Sequence, residues 1–222
     1  MSGNKSGFAS MAKLGIILAL YSAVAGVGLA FVYDGTAKII AQRQQEDLEH
    51  ALQDLFNDAD SFKPITDIRI PAPGTGEPQV IIEGEDNNPN NTGAFVAMKN
   101  GQIIGVALRT SRASYSGPIK ILTGVGADGK IKGVMILENT DTPGLGANAS
   151  STQYYVDRAK GIHFYEQFTG KNVSDPFVPK QDVIAITAAT ITSRAVASSV
   201  KAAGEAASAW LLLNASSPGG SR

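Results

Sequence analysis

From Leu14 to Tyr33 the chain reads LGIILALYSAVAGVGLAFVY, twenty residues without a charge. Wound as a helix, such a run is about 30 Å long, the thickness of a bilayer's hydrocarbon core. It predicts a transmembrane helix, with Tyr33 placed where an aromatic ring suits the interface. The competing reading is a cleaved signal, since Ala23-Val24-Ala25 resembles a small-residue cleavage site. Cleavage there would leave the apolar GVGLAFVY as the new N-terminus, and the run exceeds the usual signal core, so a retained anchor is expected. Beyond it the pattern changes. Leu48, Ala51, Leu52, Leu55 and Phe56 recur at helical spacing among Glu46, Asp47, Glu49 and Asp54, which predicts an amphipathic helix continuing from the anchor.

Residues 64–92 are rich in proline, glycine and asparagine and predict irregular chain around one short strand, QVIIE. Two hairpins follow. AFVAMKNGQIIGVAL places Asn100-Gly101 between apolar runs, and PIKILTGVGADGKIKGVMIL places Asp128-Gly129 between another pair. Both dipeptides supply the positive φ angles of tight hairpin turns. Along the second hairpin, Ile119, Ile121 and Thr123 alternate with Lys120, Leu122 and Gly124, as in a sheet covered on at least one face. STQYYVDRAKGIHFYEQFTGK reads as one or two short helices ending near Gly170. DVIAIT reads as a strand ending at Thr187, and the alanine-rich stretch from Ser193 to Leu213 as a C-terminal helix. Strands in consecutive hairpins with helices before and after give an α+β fold, not a doubly wound sheet.

Composition narrows the function. The chain has 222 residues, enough for one good-sized domain and an appendage, and a formal net charge of −1. That balance gives no support to nucleic-acid binding, which normally needs a basic face. The absence of cysteine removes disulfides, thiolate metal sites and cysteine-held iron–sulfur clusters. With only His50 and His163, far apart, neither a histidine metal site nor a serine-type triad can be assembled, so no catalytic or metal-ligating residue is assigned. Lys5 and Lys13 precede the span with no acid beside them. The positive-inside bias therefore places the N-terminus in the cytoplasm and the main domain outside.

Two loops carry the remaining chemistry. In ENTDTPGLGANAS, Pro143 stiffens the entry while Gly144 and Gly146 let the backbone approach a ligand, with Leu145 projecting between them; an ordinary Pro-Gly turn is the plain alternative. In AITAATITSRAVASSV the hydroxyls of Thr187, Thr190, Thr192 and Ser193 crowd the junction of strand and helix. Thr192 and Ser193 are good N-cap residues. The same junction, with its free N–H groups, the small Ala188 and Ala189 and the nearby Arg194, also suits a phosphate. Capping leaves Thr190 unexplained.

These stretches carry a resemblance. TAATITS, residues 187–193, resembles the Ser/Thr-Gly-Ala-Thr-x-Thr-Ser flavinylation motif of the covalent FMN-binding subunits of bacterial Rnf and Na+-translocating NADH:quinone reductase complexes. TDTPGLG, residues 140–146, resembles the Thr-Glu-Thr-Pro-Gly-Leu-Gly loop of the same subunits. The likeness extends over nearly the whole chain, from the N-terminal span to the terminal helix. Two positions depart from it: Ala188 stands where the family usually has glycine, and Ile184 where it usually has aspartate, with Asp182 two residues earlier.

The resemblance implies FMN joined through its phosphate to Thr190 by a separate flavin transferase. Thr187, Ala189, Thr192 and Ser193 would surround the phosphate, and Thr142, Gly144 and Leu145 would line the ring system. It further implies a redox subunit, not catalytic alone, that passes electrons within a multi-subunit, ion-translocating oxidoreductase. The compact length points to the RnfG-type subunit of an Rnf ferredoxin:NAD+ oxidoreductase, with other membrane subunits of that complex as partners. The alternatives are the equivalent subunit of the quinone reductase, or a membrane-anchored assembly domain without flavin. The expected layout is a cytoplasmic N-terminus (1–13), a single transmembrane helix in the bacterial inner membrane (14–33), an amphipathic helix and linker (34–62), an extracytoplasmic FMN-binding domain (63–213) and a flexible tail (214–222).

Overall fold

The computed structural model describes residues 4–70, 79–82 and 93–214. The proline-rich stretch at 71–78, Glu83 at the end of QVIIE, most of GEDNNPNNTG and the tail after Asn214 lie outside the described residues, as do residues 1–3. Two compact units are present, Met1–Glu49 and His50–Arg222.

The first unit belongs to helix α1, Asn4–Leu55, which runs unbroken through both the apolar and the amphipathic stretches. Leu14, Leu18, Val24, Phe31 and Tyr33 are exposed along it, and it is long and apolar enough to cross a membrane. An apolar helix with no protein against it is stable where lipid covers the side chains and every backbone polar group is satisfied within the helix.

The second unit is built on an antiparallel sheet. Strands β1 (Ser61–Pro64), β3 (Ala94–Lys99), β4 (Gln102–Ala113), β5 (Pro118–Gly126) and β6 (Ile131–Glu138) lie in that order, and β2 (Ile81–Ile82) pairs with β4 beyond the end of β3. The β3–β4 hairpin turns at Asn100-Gly101 with φ of 49° and 77°, the two positive angles of a type I′ turn. The Asp128-Gly129 hairpin differs from expectation. Only Gly129 has a positive φ, 73°. Its N–H donates to the Gly126 carbonyl and the Gly126 N–H donates to Lys130, so a longer loop closes there. Asp128 accepts the Lys130 N–H at 3.2 Å and pairs with Lys132 at 3.1 Å, which holds it out of the left-handed region.

Both faces of the sheet are covered. On one, Val106, Leu108, Ile119, Ile121 and Val125 pack against Val196, Val200 and Ala203 of helix α2, Thr190–Asn214, with Phe164 and Phe168 closing the core. On the other, the last turn of α1 is received by glycines. A Cβ at Gly105 would strike the Phe56 ring, and one at Gly133 would meet Leu55 Cδ2 at 2.7 Å. Ala51, Leu52 and Phe56 are accordingly buried. Within the second unit, the stripe from Ala51 to Phe56 therefore packs on the sheet, through a trough that side chains on β4 and β6 would fill.

The segment read as short helices is instead a small hairpin, β7 (Tyr155–Asp157) with β8 (Ile162–His163), and only Glu166–Phe168 forms a helical turn. Gly161, at φ 66°, lies in the connection between the two strands. Tyr155, His163 and Tyr165 then stack face to face, with centroids 4.3 and 5.7 Å apart, and that ladder stabilises the hairpin as helical spacing would not.

Candidate functional site

The junction at the start of α2 differs in detail from the expected strand and caps. Residues 184–186 have no strand partner, and Thr187 and Ala188 form a turn. Gln167 holds the former instead: its Oε1 accepts the Ile184 N–H at 2.7 Å and its Nε2 donates to the Ile184 carbonyl at 3.1 Å. Helix α2 begins at Thr190, so Thr192 and Ser193 stand inside its first turn and are not N-caps. Ser193 Oγ accepts the Ile186 N–H and donates to the Ala189 carbonyl, both at 2.9 Å, and Ser193 is fully buried. One hydroxyl thus ties the incoming chain beneath the helix. The tight reversal needed to enter the helix puts Ala188 at φ 58°. That is the left-handed region in which glycine is at ease and a Cβ costs energy, and it gives the physical reason for a glycine at this place in the resembled motif.

Thr187 and Thr190 are exposed. The first helical bond is Ser193 N–H to Ala189 C=O, at 3.0 Å. The N–H groups of Thr190, Ile191 and Thr192 precede it and stand at the positive end of a 25-residue helix. An open groove of about 580 Å³ is lined by residues 180–188 and by Thr190. Its far side is fixed by Asp182, which accepts the N–H groups of Phe177 and Val178 at 3.0 and 2.6 Å and pairs with Lys171 at 3.4 Å. Burial pushes the Asp182 carboxyl up, but those hydrogen bonds and the Lys171 charge outweigh it and hold the group below the ordinary aspartate value.

The second loop is built from its base. Asn139 Oδ1 accepts the Asp141 N–H and its Nδ2 donates to the Gly146 carbonyl, both at 3.0 Å. The Thr142 carbonyl accepts the N–H groups of Leu145 and Ala147, and Asn148 Nδ2 reaches the Gly144 carbonyl. These bonds hold Thr142, Pro143, Gly144 (φ 78°) and Leu145 as an exposed tip, with Leu145 40% accessible.

Asp141 joins the two loops. It is only 5% exposed. Its carboxylate accepts Ser114 Oγ at 2.5 Å, the Ser116 N–H at 2.7 Å and Thr192 Oγ1 at 2.6 Å. A Cβ on Gly146 would run into Thr192 Oγ1 and Asp141, so this glycine is set by close approach. Burial raises the Asp141 carboxyl, yet the hydroxyls of Ser114 and Thr192 and the backbone N–H groups of Ser116 and Tyr115 prevail, leaving it below the ordinary range and charged at neutral pH.

The structure therefore sorts the expected site residues. Thr187 and Thr190 line the groove, and Ala189, Thr192 and Ser193 are buried beneath it. Thr142, Gly144 and Leu145 form the tip of a loop whose base is bonded to the same helix turn. Sequence reasoning misses Asp141 and Gln167 because each acts on a partner remote in the chain, 51 residues away for the Asp141–Thr192 bond and 17 for Gln167–Ile184. The only local signal for Asp141 is its place inside TDTPGLG. For an anionic phosphate on Thr190 the residues fit: an exposed hydroxyl, free N–H donors at a helix start, small alanines and the exposed Arg194 one turn along.

Residues 114–205 match the family model for an FMN-binding domain, and residues 1–55 match that for the RnfG N-terminal region. The chain is 32% identical over 201 residues to the RnfG-type subunit of the Na(+)-translocating ferredoxin:NAD(+) oxidoreductase complex of Acetobacterium woodii, covering 85% of this chain and 87% of that protein. It is 30% identical over 201 residues to the corresponding subunit of the ion-translocating oxidoreductase complex of Vibrio cholerae, covering 87% and 88%. Among solved structures, NqrC of Shewanella oneidensis superposes with a TM-score of 0.47 at 17% identity, over 72% of this chain and 91% of that one. By its identity to these relatives over most of its length, the chain belongs to the RnfG family of ion-translocating oxidoreductase subunits.

Proposed function

We propose that this chain is the membrane-anchored FMN subunit of an Rnf-type ferredoxin:NAD+ oxidoreductase and carries its flavin as a phosphoester on Thr190. The observation that supports the attachment most is the division between the threonines of the motif. Thr192 is buried on Asp141, whereas Thr190 is exposed on the groove at the first residue of α2. Its neighbours are free N–H groups that favour an anion. FMN bound there would supply one- and two-electron redox chemistry.

The chain's own part is binding and orientation. The helix start holds the phosphate, Ser193 and Gln167 fix the approach to it, and the Thr142–Leu145 loop offers a backbone edge and the Leu145 side chain to the ring system. Residues 14–33 serve as the anchor, with Lys5 and Lys13 on the cytoplasmic side and the sheet domain outside. A covalent bond keeps the cofactor where free FMN would diffuse away. The partners are the other membrane subunits of the complex and, during maturation, a flavin transferase.

Co-expression with a flavin transferase in the membrane, followed by a denaturing gel viewed under ultraviolet light, tests the attachment. The native sequence is expected to give a fluorescent band and Thr190→Ala a dark one. A dark band from the native sequence contradicts the flavoprotein reading, and a bright one from Thr190→Ala moves the attachment to another residue.

A further inference from the structure

Asp141 is a buried, ionised group that the attachment chemistry does not need. Three donors from two other elements converge on it: Ser114 and Ser116 between β4 and β5, and Thr192 in the first turn of α2. Packing alone could have joined these elements, and a buried carboxylate is a costly choice unless all its acceptor sites are used. Its oxygens are met by hydroxyl and backbone N–H donors; the groups that lower its pKa are those donors and the Tyr115 N–H, all neutral, and no ion pair joins it among the described residues, so its negative charge is solvated but not paired. At 5% exposure water screens that charge poorly.

Its place gives the charge a target. Thr192 is two residues from Thr190 on the same helical turn, and Thr142 follows Asp141 directly. A group bonded to Thr190 and lying along the Thr142–Leu145 loop is thus within roughly 10 Å of the carboxylate, given the dimensions of one helical turn. We infer, on the reading that FMN is carried at Thr190, that Asp141 is a positioning residue with two separable effects. Through its bonds to Thr192 and Ser114 it locks the flavin loop to the helix start. Through its unpaired charge it biases the flavin toward the oxidised form, because adding electrons beside a fixed negative charge is disfavoured. At that distance and a near-surface dielectric, the charge alters the oxidation–reduction equilibrium by on the order of tenfold.

The two effects separate in variants. Asp141→Asn removes the charge and keeps the shape, whereas Thr192→Val breaks the latch and leaves the charge. Both are made in the full chain, loaded by a flavin transferase and extracted from the membrane. Spectroscopic redox titration gives the potential, and visible circular dichroism with flavin fluorescence anisotropy gives the ordering of the ring. The expected result is a more positive potential for Asp141→Asn and a smaller change for Thr192→Val, with loss of ring ordering in Thr192→Val. Asp141→Ser, also neutral and smaller, is expected to shift the potential in the same direction and stands in if Asp141→Asn folds poorly. Equal potentials in the native protein and the neutral variants overturn the inference, as does an equal shift in Thr192→Val. If the loaded native chain shows no fluorescent band on a denaturing gel, the Thr190 reading and this inference both fail. A bright band with an unmoved potential sinks this inference alone.

Discussion

The two loops at the site are secured in opposite ways. The 139–146 loop hangs on a buried carboxylate, which gathers donors from β4–β5 and from α2. The 184–190 turn has no buried charge. It rests on neutral bonds, Ser193 Oγ with Ile186 N–H and Gln167 with the Ile184 backbone, and bends through a non-glycine residue at φ 58°. A loop hung on a charge between distant elements is rigid at its base and costly to disturb. A turn held by side chain-to-backbone bonds is cheaper to loosen, and this one holds a little strain at Ala188. The more rigid loop is the one proposed to line the flavin ring, and the softer turn carries Thr190, the proposed point of attachment.

Breaking the carboxylate anchor has the largest expected effect. Asp141→Ala leaves two hydroxyls and one N–H without their acceptor and is expected to destabilise the domain by about 3 kcal/mol, read from denaturant midpoints. The same anchor gives a pH signature. Because the folded-state value of Asp141 lies below its ordinary 3.8, the stability it contributes is fully present above that value and is lost as pH falls through the folded one. Melting temperature should therefore drop on acidification below about pH 4 in the native chain and drop less in Asp141→Asn.

Loosening the neutral turn comes next. Ser193→Ala strands the Ile186 N–H in the interior and should cost about 1–2 kcal/mol, with faster amide exchange at Ile186. The smallest effect has the opposite sign. Ala188→Gly relieves the left-handed backbone and is expected to stabilise by roughly 0.5–1 kcal/mol in the same melts. A destabilised Ala188→Gly would show that the turn is not strained.

What is legible in the sequence follows the range of the interactions. The apolar span, the amphipathic stripe through Leu52 and Phe56, and the Asn100-Gly101 turn depend on neighbours within a few residues, and each is present in the structure. The Tyr155–His163 hairpin escapes such a reading because short apolar runs fit either period, and the stacking that decides between them pairs residues eight positions apart. Thr192 and Ser193 resemble caps because local preference is the same for a cap and for a first-turn hydroxyl. Their real partners, Asp141 and Ile186, are set by tertiary approach. The pairing of the two motifs is legible in sequence only as co-occurrence; the Asp141–Thr192 bond is its physical content.

The claim that most depends on one residue is the covalent attachment at Thr190, and its most direct test is mass spectrometry of the chain recovered from membranes. Trypsin releases Gln181–Arg194, QDVIAITAATITSR, which contains Thr187, Thr190, Thr192 and Ser193 together. Attachment at Thr190 predicts this peptide heavier by one FMN less one water, with fragment ions placing the added mass on Thr190. An unmodified peptide from chain matured with a competent flavin transferase, or added mass on Thr187, Thr192 or Ser193, would contradict it.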